Sequence, residues 1–190
     1  EGEAAVSGSP HLDNVAPALY GGLVLVGPSS FRPVVRLPIP DGLHVALLHP
    51  EIRVSTRAAR KALGNTIPLT EAVGQWGRTA AFVHALHEGD WELLREALVD
   101  GVAEPRRAHL IPGFEAVRTT ALKAGALACG ISGAGPTMLS LCRGSESAEA
   151  VATAMESVFA STTGLRASVH LSPVSPRGAR VEGSGGEEAA

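Results

Sequence analysis

The sequence predicts an α+β fold in which an antiparallel sheet carries helices on one face. From residue 43 onward, short apolar runs and longer amphipathic segments follow in the order strand, several helices, strand, strand, helix, strand. A glycine-rich turn separates the apolar runs at 127–131 and 137–141, which is typical of two paired strands. This order is the split βαβ arrangement of a ferredoxin-like domain.

The elements before this domain indicate the end of a different domain. Residues 15–20 can form a short helix, and two short apolar runs at 23–26 and 34–37 flank a loop rich in Gly, Pro and Ser. The last residues are rich in Ser, Pro, Gly and Glu and have little to bury, so we expect them to be disordered. The predicted boundaries are 1–41 for the remnant of an N-terminal domain, 42–171 for the ferredoxin-like domain and 172–190 for the disordered tail.

The ferredoxin-like domain begins with a buried strand at 43–48 and ends with a strand at 166–171. A helix with apolar residues three or four apart precedes the last strand, over 148–162. Between the first two strands, four helices are predicted, each opened by a capping residue or proline or closed by glycine. They cover 57–63, capped by Ser55 or Thr56; Pro68 to Gly89, with Leu69, Val73, Trp76, Ala80 and Val83 on one face; Asp90 to Gly101; and Phe114 to Gly125.

Composition excludes several classes of protein. The net charge is −3 and the basic residues are scattered, which gives no electrostatic footprint for nucleic acid. No apolar run is long enough to span a membrane. Cys129 and Cys142 lie in separate apolar runs without a metal-binding spacing, so we interpret them as inert core thiols of a protein from the reducing cytosol.

Polar chemistry is concentrated in a few short segments. Residues 11–14 read His-Leu-Asp-Asn, which puts an imidazole, a carboxylate and a carboxamide just before the short helix. Residues 133–137 read Gly-Ala-Gly-Pro-Thr, where glycine permits close approach of the backbone. Arginines at 57 and 60 and at 106 and 107 offer guanidinium groups, which bind carboxylates through two parallel hydrogen bonds.

Together with the segments 55–60 and 104–113, these motifs resemble the homoserine kinases of the GHMP superfamily, which also includes galactokinase, mevalonate kinase and phosphomevalonate kinase. The resemblance runs nearly continuously from Glu1 to about Leu171. It implies an ATP-dependent small-molecule kinase of the cytoplasm that phosphorylates L-homoserine on the route to threonine, with ATP and Mg²⁺. It also implies that residues 1–41 are the remnant of an N-terminal nucleotide-binding domain.

The superfamily's phosphate loop, of the form Pro-x-x-x-Gly-Leu-Gly-Ser-Ser, does not occur upstream of the His-x-Asp-Asn segment in this chain, which starts at Glu1 without Met. We therefore expect the chain to be the C-terminal portion of a longer enzyme. Because such a loop holds the nucleotide, we expect the chain by itself to be inactive.

The resemblance also assigns residues to the site. His11 orients the acceptor and Asn14 hydrogen-bonds near the transferring phosphate, while Asp13 stays open between a substrate contact and a helix cap. Glu3 matches the carboxylate that holds Mg²⁺ in this family. Facing the substrate are Thr56, Arg60 and Arg107, with Arg106 as the alternative to Arg107, and the third-motif loop contributes Gly133, Ala134, Gly135 and Thr137.

Other interpretations remain open at this point. A ferredoxin-like domain without a phosphate loop could be a non-catalytic module that binds or senses an amino acid. Another kinase of the same superfamily is the third alternative. A homodimer is one option for the oligomeric state, and the remaining histidines, including His49, have no paired spacing and are interpreted as ordinary.

Overall fold

A computed structural model describes residues 12–27 and 34–180 of the chain. The described residues fall into two compact units. The first contains residues 12–27, 34–38 and 175–180, and the second contains residues 39–174. The two units divide between residues 38 and 39, and the domain boundary between residues 41 and 42 stays a prediction.

The first unit contains one helix and a two-stranded sheet. Helix α1 is Val15–Tyr20, and strands β1 (Leu23–Val26) and β2 (Val34–Leu37) pair antiparallel with Leu23 opposite Leu37. Gly21 ends the helix with a φ of 68°, a conformation that favours glycine.

The segment 172–180 differs from the disordered tail that the composition predicts. Ser172 and Pro173 pair with the second unit's sheet. Further along, the N–H of Gly22 donates to the carbonyl of Ser175 at 2.7 Å, and the N–H of Ala179 donates to the carbonyl of Ala18 at 2.9 Å. These are backbone hydrogen bonds, which a side-chain composition rich in Ser and Pro does not reveal. The rest of the expected tail, 181–190, lies outside the described residues.

The second unit is built on a four-stranded sheet. Its strands are β3 (Leu43–Pro50), β4 (Ala128–Ile131), β5 (Met138–Arg143) and β6 (Ala167–Pro173). The spatial order is β4-β5-β3-β6, and all neighbouring strands are antiparallel. This order, with helices between β3 and β4 and between β5 and β6, confirms the predicted α+β, ferredoxin-like arrangement.

The helices of this unit begin close to their predicted caps. The hydroxyl of Ser55 accepts from the N–H of Ala58, and the carboxylate of Asp90 accepts from the N–H groups of Glu92 and Leu93, both at 3.0 Å. A short helix over 104–107, in the segment where Pro105 suggested a break, was not predicted, because proline is tolerated in a first turn. The helices are α2 (Thr56–Leu63), α3 (Leu69–Glu88), α4 (Trp91–Ala97), α5 (Glu104–Arg107), α6 (Phe114–Lys123) and α7 (Ser145–Thr163), with a 3-10 turn at Ala108–Leu110.

The hydrophobic core lies between one face of the sheet and helices α6 and α7. The sheet contributes Leu48 and Met138, and the helices contribute Val117, Met155 and Phe159, all fully buried. Burial of side chains of this size stabilises the fold by roughly 1.5–3 kcal/mol each. The packing therefore fixes the end of β3 and the start of β5, which lie beside the glycine-rich turn.

The apolar face of α3 that the periodicity identifies is exposed. Leu69, Val73 and Trp76 are 71%, 55% and 63% exposed, and the buried residues of the helix are Ala72, Ala85 and Leu86. Helical periodicity reveals that a face is apolar, but it does not reveal which element covers it.

Both cysteines should resist thiol reagents in the folded protein. Burial raises the pKa of the Cys129 thiol and of the Cys142 thiol to about 11 each, so at pH 8 both are neutral as well as inaccessible. We expect a disulfide reagent to label neither thiol at pH 8 in buffer and to label both in denaturant. Rapid labelling of the native chain would contradict this.

Candidate functional site

The loop at 132–137 makes a tight turn between β4 and β5. Gly133 and Gly135 have φ values of 58° and 80°, and the N–H of Gly135 donates to the carbonyl of Ser132 at 2.9 Å. A Cβ atom at Gly135 would lie 3.0 Å from Cδ1 of Ile111. Glycine is favoured here by its positive φ, and a Cβ atom would in addition press on the end of the Ile111 side chain.

Arg107 connects this loop to helix α2. Its Nε donates to the carbonyl of Ala59 at 3.2 Å, and its Nη1 donates to the carbonyl of Gly133 at 3.0 Å. These two bonds use only part of the donor set of a guanidinium, since both Nη groups carry two N–H bonds each. The outer edge of Arg107 therefore retains the donors needed to bind a carboxylate.

Arg106, the alternative to Arg107, points to different partners. Its Nη1 donates to the carbonyl of Val102 at 2.6 Å, and its Nη2 pairs with Oε2 of Glu71 on α3 at 2.7 Å. Its guanidinium is thus engaged in holding α5 to α3. This geometry favours Arg107 as the substrate residue, which stays a prediction.

Thr56 and Arg60 lie four residues apart on α2, which puts them on the same face of the helix. Arg60 is exposed in the last turn, directly after Ala59, whose carbonyl Arg107 contacts. The side chain of Thr56 is outside the described part of the structure. The second unit thus brings the Arg60 segment, Arg107 and the loop together.

His49 contacts the loop, although no spacing in the sequence singles it out. Its Nδ1 lies 2.8 Å from the hydroxyl oxygen of Thr137. The contact follows from strand register, because Leu48 pairs with Met138 in an antiparallel ladder, which makes His49, the residue after Leu48, a neighbour of Thr137, the residue before Met138. Knowledge of the pairing of β3 with β5 would have predicted this contact. The spacing of the histidines along the sequence gives no information about that pairing.

Glu104 is a second residue that sequence reasoning missed. Its side chain is 11% exposed, and its Oε1 lies 3.2 Å from Nε of Arg118. Burial raises the pKa of this carboxyl; Arg118 opposes the rise, Asp100 adds to it, and a hydrogen bond from the backbone N–H of Ile131 lowers the pKa. Glu104 also lines a cavity of about 260 Å³ between α3 and the β4-β5 face of the sheet.

Of the residues predicted in the first part of the chain, His11 and Glu3 lie outside the described residues. Asn14 occupies the N-cap position of α1, but its side chain makes no capping hydrogen bond. Asp13 and Asn14 are exposed in the first unit, whereas the arginines belong to the second. The convergence of Asn14 with the arginines therefore stays a prediction.

Within 12–27 and 34–180, no three His, Cys, Asp or Glu side chains come together in a group that could hold a metal ion. In the same part of the chain, no helix has the length and apolar character needed to cross a membrane.

Comparison with known proteins identifies the family. A model of the C-terminal region of GHMP kinases matches residues 82–161, which include α5, the loop at 132–137 and most of α7. A homoserine kinase of Chlorobium phaeobacteroides is 42% identical over 184 residues, 95% of this chain and 57% of that protein. The chain belongs to the GHMP kinase family.

Two further homoserine kinases extend the comparison. The solved structure of a homoserine kinase from Cytophaga hutchinsonii superposes with a TM-score of 0.89 at 41% identity, covering 93% of this chain and 56% of that one. A homoserine kinase of Arabidopsis thaliana is 39% identical over 188 residues, 97% of this chain and 50% of that protein. The chain therefore spans little more than half the length of these relatives, and the family predicted from its motifs is confirmed.

Proposed function

We propose that the protein containing this chain is an ATP-dependent kinase that transfers a phosphoryl group to the side-chain hydroxyl of L-homoserine. The observation that supports it best is Arg107, whose guanidinium touches both the Arg60 helix and the glycine-rich loop. An acceptor that is an amino acid needs cationic groups for its carboxylate beside a loop that can approach phosphate. The relatives named as homoserine kinases support the same substrate.

The two arginines provide the basis for choosing an amino acid. Arg60 and Arg107 would hold the carboxylate of homoserine through charge-assisted hydrogen bonds, which are shorter and stronger than neutral ones. Thr56, one turn before Arg60, would add a hydroxyl contact. Mevalonate also carries a carboxylate but lacks the amino group, so a kinase for homoserine should discriminate between them.

The phosphate side of the proposed site uses groups that position the reactants. Phosphoryl transfer depends mainly on alignment and on stabilising charge at the transferring oxygens. His11 would orient the acceptor, Asn14 would hydrogen-bond near the γ-phosphate, and the backbone N–H groups of Gly133 and Ala134 would face the phosphates. Glu3 remains the proposed ligand of Mg²⁺, whose shell is completed by phosphate oxygens and water.

The proposed product, O-phosphohomoserine, belongs to amino-acid biosynthesis on the route to threonine, and we propose a cytoplasmic location. The two buried thiols, unpaired in the structure, agree with a reducing compartment.

Steady-state kinetics of the product of the complete gene test this function. ADP release would be measured with L-homoserine, L-serine, L-threonine, mevalonate and galactose as acceptors. We expect the highest kcat/KM with L-homoserine and no turnover by the 190-residue chain alone. Preference for another acceptor would overturn the proposal, and turnover by the chain alone would overturn the expectation that it requires a further nucleotide-binding region.

Arg60→Ala in the complete gene product should raise the KM for homoserine. It removes a charge-assisted contact worth roughly 1.5–3 kcal/mol, which corresponds to about ten- to 150-fold. The KM for ATP should remain nearly constant. Arg57→Ala, an exposed arginine on the same helix, is the matched control and should leave both constants unchanged. Equal behaviour of the two variants would remove Arg60 from the site.

A further inference from the structure

Helix α5 is attached to the chain at 130–133 by both of its ends. Arg107, its last residue, donates to the carbonyl of Gly133. Glu104, its first residue, places its carboxylate against the backbone of β4 at Gly130, where a hydrogen bond from the backbone N–H of Ile131 lowers the pKa of the carboxyl. One short helix thus holds the end of β4 and the beginning of the glycine-rich loop in a fixed relation to the guanidinium of Arg107.

The position of the Glu104 carboxylate depends on Gly130 in the neighbouring strand β4. A Cβ atom at Gly130 would lie 2.5 Å from Oε2 of Glu104, closer than atoms can approach. The carboxylate therefore rests directly against the backbone of β4, and any side chain at Gly130 would displace it. Gly130 has an ordinary strand position, so close approach of Glu104, and not a positive φ, explains the glycine.

The carboxylate of Glu104 faces an opposite charge on its other side. Nε of Arg118 on α6 lies 3.2 Å from Oε1 of Glu104, an ion-pair distance without the alignment of a hydrogen bond, and both side chains are partly or largely buried. Removing one member of such a pair leaves the other charge without its partner, so an isosteric neutral side chain at position 104 tests whether the charge of Glu104 holds this segment. Asp100 and Glu115 are the nearby acidic groups; the carboxylate of Asp100 accepts from the N–H groups of residues 102–104.

We propose that Glu104 is a positioning residue of the kinase: through Ile131 and α5 it sets the place of Arg107 and the glycine-rich loop around the acceptor's carboxylate. This inference rests on the proposed function for its kinetic consequence. In this proposal Glu104 does not bind the acceptor itself, and its effect on acceptor binding is transmitted by Arg107.

The first test is Glu104→Gln in the complete gene product. The substitution keeps the size of the side chain and an oxygen that can accept from Ile131, and it removes the negative charge that faces Arg118. We expect the KM for homoserine to rise roughly five- to tenfold while the KM for ATP changes little. Glu115→Gln is the matched control, since Glu115 is an exposed carboxylate on the neighbouring helix. No change in the Glu104→Gln enzyme, or the same change in the control, would overturn the proposal.

A double-mutant cycle separates positioning from general stabilisation. If Glu104 acts through Arg107, adding Glu104→Gln to Arg107→Ala should cause no further rise in the KM for homoserine. Independent, additive effects of the two substitutions would contradict the proposal. Gly130→Ala provides a second route, because it displaces the carboxylate without altering its charge, and it should reproduce the kinetic change of Glu104→Gln.

A measurement that does not depend on enzymatic activity tests this inference separately from the proposed function. In the 190-residue chain, amide hydrogen exchange at Ile131 should accelerate at least roughly tenfold in Glu104→Ala and in Gly130→Ala, and should be unchanged in Glu115→Gln. If the complete gene product does not phosphorylate homoserine, the proposed function fails while this measurement still decides whether Glu104 holds the segment. Unchanged exchange at Ile131 in both variants would overturn the inference.

Discussion

Arg107→Ala should lower kcat/KM for L-homoserine by more than about 150-fold, the largest kinetic effect that we expect in this part of the protein. The substitution removes a charge-assisted contact to the substrate's carboxylate. It also removes the hydrogen bonds to the carbonyls of Ala59 and Gly133, so the loop and helix α2 lose their common partner. The effect should therefore exceed that of Arg60→Ala. The measurement is steady-state kinetics of the complete gene product with homoserine varied at saturating ATP.

Two further substitutions control this prediction. Arg107→Lys keeps the positive charge but cannot reach two carbonyls and a carboxylate at once, so its kcat/KM should fall between those of wild type and alanine. Arg106→Ala should weaken the contact of α5 with Glu71 and change the KM for homoserine much less. A larger rise in KM for Arg106→Ala than for Arg107→Ala would reverse the assignment of the two arginines.

Phe159→Ala should destabilise the chain by about 3–5 kcal/mol, the largest expected effect on stability. Phe159 is fully buried where α7 packs on the sheet, and its removal leaves a cavity that the surrounding side chains fill only in part. Urea unfolding monitored by circular dichroism would measure the change. Trp76→Ala is the matched control, because Trp76 is a larger aromatic residue that is 63% exposed. We expect its free energy of unfolding to change by less than about 0.5 kcal/mol.

A similar loss of stability in the two variants would contradict the fold described above. It would mean that the outer face of α3 is covered in solution, or that α7 contributes less to the core than its burial indicates. The same unfolding experiment tests both explanations, because one substitution removes a buried aromatic ring and the other removes an exposed one.

The elements of the ferredoxin-like domain were predictable where local chemistry determines them. Asp90 caps its helix in the structure as the sequence indicates, and the turn after Ile131 joins two strands that pair as expected. The sequence could not predict that the apolar face of α3 is exposed. Helical periodicity shows that a face is apolar, but it does not show whether another element of the protein covers that face. The backbone bonds of Ser175 and Ala179 were invisible for a related reason, because they involve no side chain.

The sequence could predict those residues of the candidate site that belong to local motifs, but not the contacts between residues far apart in the chain. The sequence places two adjacent arginines at 106 and 107, and only the structure shows that one pairs with Glu71 while the other contacts the loop. The contacts of His49 with Thr137 and of Glu104 with Ile131 join residues far apart in the chain. Strand register and the packing of α5 create these contacts, and no spacing in the sequence encodes them.

The most direct test is a crystal structure of the complete gene product with L-homoserine and a non-hydrolysable ATP analogue. We predict the carboxylate of homoserine within hydrogen-bonding distance, roughly 2.7–3.2 Å, of the guanidinium groups of Arg60 and Arg107. The acceptor hydroxyl should face the last phosphate beside His11 and Asn14, with the loop at 133–135 adjacent to that phosphate. A carboxylate bound by other residues, with both arginines turned away from the acceptor, would contradict the account.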